Sequence, residues 1–70
     1  MDRQKLLNYA QNFGAEARAN NRAMILTKDD REDLIYTLGV SNWGDIPEDL
    51  RQELQAAFIA GYESESKNYI

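Results

Sequence analysis

The chain has no cysteine, no histidine and a single proline among its 70 residues. Without cysteine there is no disulfide and no thiolate nucleophile. Without cysteine and histidine a structural zinc site loses its ordinary ligands. Without histidine, catalysis loses its commonest general base. Carboxylates remain, but an acid/base pair needs a pocket that perturbs it, which a chain this short rarely builds. Gly14, Gly39, Gly44 and Gly61 stand apart, so no glycine loop cradles phosphate. Asp29, Asp30, Glu32 and Asp33 cluster without the spacing of a calcium loop. The expectation is no enzyme, no cofactor and no metal.

Long apolar runs are missing too. No stretch approaches the roughly 18 residues of a membrane span. Met1-Asp2-Arg3-Gln4-Lys5 leads into polar-interrupted sequence rather than the apolar core of a signal peptide. With no cysteine either, the expected location is the cytoplasm, away from membranes.

What is present favours helix. The length fits one domain spanning 1–70. Such a chain buries only about 60% of the surface exposed when unfolded, and small scaffolds usually need a staple. The hydrophobic fraction is 43%, enough for one compact core. Valine occurs once (Val40) and threonine twice (Thr27, Thr37), whereas Ala, Leu, Glu, Gln, Arg and Lys abound. Stability must therefore come from helix packing or from a second chain.

Three helices are expected. Leu6, Ala10, Phe13, Ala17 and Met24 fall within about 60° of one another at ~100° per residue, which predicts a first helix over 2–23. Gly14 and the Asn20-Asn21 pair weaken it. The helix bends at Gly14, stops near Asn20, or gives way to an extended apolar connector at Ala23-Met24-Ile25-Leu26. A second helix over 28–38 is punctuated by Thr27 as N-cap, by Asp29 and Asp30 in the first turn and by Gly39 as a left-handed stop. Arg31, Leu34, Ile35 and Leu38 share its inner face. Val40 to Asp45 reads as a turn, with Trp43 as a lid over a small core. A third helix over 47–64 opens at Pro47 with Glu48 and Asp49. It buries Leu50, Leu54, Ala57, Phe58 and Gly61, and frays from about residue 65. The small pair Ala57 and Gly61 permits close helix approach. The fold class is all-α, a small three-helix bundle.

Leu38-Gly39-Val40-Ser41 echoes the turn of a helix-turn-helix. Gly44 and Pro47 would break the recognition helix, and Glu48-Asp49 would repel phosphate. The echo reads as an ordinary helix C-cap.

Charge distribution is the best functional lead. Residues 1–28 carry a net charge of +3 and residues 29–70 a net charge of −7, within an overall −4. Asp29, Glu32, Asp33 and Tyr36 share the outward face of the second helix. Like charges one turn apart do not stabilise a helix, but an acidic surface with an aromatic anchor suits a basic protein partner. Ile59, opposite the buried stripe of the third helix, and Tyr62 beside it extend the candidate surface. Tyr69 and Ile70 lie downstream, and a dimer face is an alternative use for them.

The expected function is a non-catalytic protein–protein interaction module, an adaptor, inhibitor or regulator of a larger protein. A chain of this size starting at its own Met matches many stand-alone modulators, those of bacteria and phages included. Two other readings stand beside it. Arg18 and Arg22, one turn apart on the outer face of the first helix, suit an anion or nucleic-acid phosphate, and the acidic half suits mimicry of DNA. A homo-oligomer is the third.

Overall fold

The computed structural model describes residues 3–67. Among them the chain forms three α-helices, α1 (Arg3–Ala19), α2 (Lys28–Leu38) and α3 (Glu48–Ser66), with one 3-10 turn at Trp43–Asp45. It is an all-α three-helix bundle. The predicted start at Asp2 lies outside the described residues, as do Tyr69 and Ile70.

α1 and α3 lie side by side and run parallel. Arg3 at the start of α1 bonds Glu53 near the start of α3, and Arg18 near the end of α1 bonds Ser66 at the end of α3. They cross where both carry glycine. A Cβ on Gly14 would overlap the backbone carbonyl of Phe58, and one on Gly61 would overlap the backbone of Gln11. Gly14, weak as a helix former, thus serves the close approach that the Ala57/Gly61 spacing anticipated on the other helix.

α1 stops at Ala19 rather than at 23. Asn21 is left-handed, with φ of 59°. Asn tolerates this conformation better than most residues. The Arg22 N–H donates to the Ala17 carbonyl at 2.7 Å across that turn, which closes the helix in a Schellman-like cap. Residues 22–27 form the connector. It buries Leu26 but leaves Met24 45% and Ile25 60% exposed, so Met24 is not part of the α1 stripe.

α2 keeps its predicted bounds. The Thr27 side chain accepts from the Asp30 N–H, and the Asp30 carboxylate accepts from the Thr27 N–H, both at 3.2 Å. This reciprocal capping box explains why Asp30 is buried. Gly39, with φ of 83°, ends the helix and donates its N–H to the carbonyls of Ile35 and Tyr36. Thr27→Ala removes the hydroxyl that accepts the Asp30 backbone N–H, while the Thr27 N–H that the Asp30 carboxylate accepts from remains. The expected loss is about 1 kcal/mol, read as a lower urea midpoint at unchanged helical circular dichroism.

The core comprises Leu6, Ala10, Ala17, Leu26, Leu34, Ile46, Leu50, Leu54 and Phe58. Ile46 is fully buried between the 3-10 turn and α3. Pro47 caps α3 rather than occupying its first turn, and the helix runs to Ser66 rather than 64. α2 packs against α1 and the 3-10 turn, not along α3. That arrangement leaves an opening between the connector, α2 and α3. Among the described residues no helix is long and apolar enough to cross a membrane.

Candidate functional site

The charge asymmetry separates into two parts. One part holds the fold together. The Arg3 guanidinium bonds Glu53 at 2.9 Å and lies 3.5 Å from Asp49. The hydrogen bond to Glu53 raises the Arg3 pKa above its already high value, helped by the Coulombic pull of both acids. Asp49 also lies in the first turn of α3, where the helix dipole favours negative charge. Exposed pairs of this kind contribute little individually. They fix register between α1 and α3. Asp30 closes its capping box, and Asp45 accepts the Asn42 N–H at 3.1 Å.

The other part makes no bond. Asp29, Glu32, Asp33 and Tyr36 are all exposed on the outer face of α2, opposite Leu34. Tyr36 is 88% exposed, the most exposed large hydrophobic side chain among the described residues. The carboxylates of Asp29, Glu32 and Asp33 take no part in the ion pairs that Arg3 makes with Asp49 and Glu53. Among the described residues no cluster of acids could hold a metal ion.

Ile59 and Tyr62 do not join this surface. Tyr62 is half-buried, and its hydroxyl donates to the Arg22 carbonyl at 2.8 Å, which straps the connector onto α3. Ile59 is 40% exposed and lines the opening beside the connector instead.

Arg18 and Arg22 are not one turn apart on a helix face. Arg22 lies beyond the left-handed Asn21, outside α1. The Arg18 Nε donates to Ser66 Oγ at 3.0 Å, and its Nη1 to Asn21 Oδ1 at 3.3 Å. Ser66 in turn donates to the Tyr62 carbonyl at 2.9 Å. Together they form a polar clasp at the C-terminal ends of α1 and α3.

The opening left by α2 is a cleft of about 280 Å³ lined by Met24, Ile25, Leu26, Arg31, Gln55, Phe58 and Ile59. A second notch of about 210 Å³ continues from it along α3, sharing Gln55 and adding Trp43, Glu48, Arg51 and Gln52. Trp43 is half-buried against the core, with the Arg31 guanidinium 5.6 Å from its ring centre. The Nε atoms of Arg31 and Arg51 are buried and donate to nothing. Sequence reasoning placed Arg31 on the inner face of α2 and gave Arg51 no role. One signal marks both: past residue 28 the only cations are Arg31, Arg51 and Lys67.

Comparison with protein-family models, curated proteins and solved structures gave no match to this chain, so its site stands on its own geometry.

Proposed function

We propose that the protein is a non-catalytic protein–protein interaction module, an adaptor, inhibitor or regulator that works by steric and electrostatic contact. One observation carries the reading. Tyr36 stands 88% exposed one turn beyond Glu32 and Asp33 on the same outer face as Asp29, and none of these side chains is part of the core. A large amphipathic ring held on a rigid helix offers contact area at low entropic cost. Unpaired carboxylates around it steer a basic partner during encounter. Capping at both ends of α2 presents the four side chains without a folding step on binding.

The nucleic-acid reading through Arg18 and Arg22 has less support, because Arg18 already donates to Ser66 and Asn21.

The test compares affinity capture from the native host by the wild-type chain and by the triple variant Asp29→Ala, Asp33→Ala, Tyr36→Ala. The protein retained by the wild type is expected to be lost by the variant while helical circular dichroism stays the same. Rim charges act mainly on association rate, so raised salt should weaken wild-type capture. Retention of the same protein by the triple variant would exclude this face as the contact.

A further inference from the structure

We propose that the cleft and notch between the connector, α2 and α3 form a second binding surface, for a partner segment that carries carboxylates beside one apolar anchor. The surface is distinct from the acidic face of α2 and has the opposite charge preference. Its residues are Met24, Ile25, Arg31, Trp43, Arg51 and Ile59.

The first argument is apolar. Met24, Ile25 and Ile59 account for three of the five exposed large hydrophobic side chains among the described residues. All three border one cleft, floored by buried Phe58. Single exposed apolar residues are ordinary, but a rimmed group is the pattern of a contact site. Nothing local forces them outward. The connector is anchored on both sides by its own bonds, the Arg22 carbonyl to Tyr62 and the buried Leu26. Met24 and Ile25 are held at the cleft edge between those anchors.

The second argument is electrostatic. Residues 29–70 hold ten acidic side chains, yet neither Arg31 nor Arg51 forms an ion pair with any of them. Each guanidinium has lost water at Nε without gaining an acceptor there. A buried donor left unmade carries a desolvation cost. No Nη nitrogen of either side chain is among the buried, unpartnered atoms. Arg31 is further held in place over Trp43. Arg31 thus lines the cleft and Arg51, beside Glu48, lines the notch, and the two depressions meet at Gln55. Carboxylates arriving at the Nη edges would make charge-assisted hydrogen bonds, roughly twice as strong as neutral ones. An apolar side chain of the same segment would fill the space above Phe58. A basic or purely apolar segment would leave both arginines uncompensated.

The experiment uses the full chain, immobilised, and a displayed library of random short peptides. The recovered peptides should be enriched in Asp and Glu next to one large apolar residue. A synthetic peptide from that pool should change the emission of Trp43, the only tryptophan, in a saturable way. Arg51→Gln, which leaves the Arg31–Trp43 stack alone, should weaken that peptide at least about tenfold, the loss expected for one charge-assisted bond. Arg31→Gln should do so as well, with helical circular dichroism checked for both. Replacing the apolar residue of the peptide with glycine should also abolish binding. Peptides without acidic bias, no recovered peptides, or equal affinity for the arginine variants would overturn the proposal. So would a wild-type dimer in sedimentation that Ile59→Asp dissociates, because a second copy would then be the occupant.

Discussion

Gly61→Ala destabilises the domain strongly, Gly14→Ala does the same, and Gly44→Ala leaves it nearly unchanged. The added methyl is identical in all three. At Gly61 it would overlap the backbone of Gln11, and at Gly14 the backbone of Phe58 and Tyr62. At Gly44 it meets nothing within 4 Å. A clash with a flexible side chain is relieved by rotation. A clash with backbone is relieved only when α1 and α3 move apart, which loosens the packing that runs along both helices. Overpacking of a core costs about 1–3 kcal/mol even where side chains can adjust, so a loss of about 3 kcal/mol or more is expected. Alanine gains about 1 kcal/mol over glycine in helix propensity, too little to offset it. A domain of this length is stable by roughly 4–10 kcal/mol. Urea unfolding followed by circular dichroism reads the difference. A Gly61→Ala midpoint equal to that of Gly44→Ala would mean that the helices do not cross at this distance.

Phe58→Ala has an effect of similar size by the opposite mechanism. Phe58 is 1% exposed and the largest of the fully buried side chains. Truncating a buried phenylalanine costs about 3–5 kcal/mol through lost transfer energy and the cavity left behind. The void would open onto the neighbouring cleft, so it would fill with water rather than collapse. Ile59→Ala at the next position should cost less than about 1 kcal/mol, because Ile59 is 40% exposed. The pair of variants separates the floor of the cleft from its rim. Thermal melts should drop steeply for Phe58→Ala and hardly at all for Ile59→Ala. Equal shifts would place Phe58 outside the core.

These two sites also mark where sequence reasoning stops. Thr27 and Gly39 were readable because caps act within four residues of themselves. The buried stripe of α3 was readable because Leu50, Leu54 and Phe58 repeat at helical spacing. The end of α1 was not fixed, because Asn20-Asn21 is compatible with a helix, a bend or a stop. The choice follows from burial of Leu26, which draws the connector inward. Gly14 looked like a weakness because its benefit lies on a different helix, opposite Phe58 and Tyr62. The candidate surfaces divide in the same way. The outward set Asp29, Glu32, Asp33 and Tyr36 follows from the period of one helix. The groove does not, since it joins the connector, α2, the 3-10 turn and α3. Tyr62 and Arg18 were misjudged for the same reason. Their partners, Arg22 and Ser66, stand 40 and 48 residues away in sequence.

The parallel pairing of α1 with α3 bears on how the chain reaches this structure. An up-and-down bundle can grow by folding each helix back on the one just made. Here α1 and α3 share the closest packing, and Arg3 meets Glu53, which stands 50 positions away in the chain. The buried stripe of α1 therefore has its main cover only after α3 has left the ribosome. Until then Leu6, Ala10 and Ala17 lack most of their shelter. Loop closure over that span must precede the contacts that reward it, which places the domain among the slower helical folders. α2, with its two caps and local contacts, is the segment best able to hold its shape during that wait.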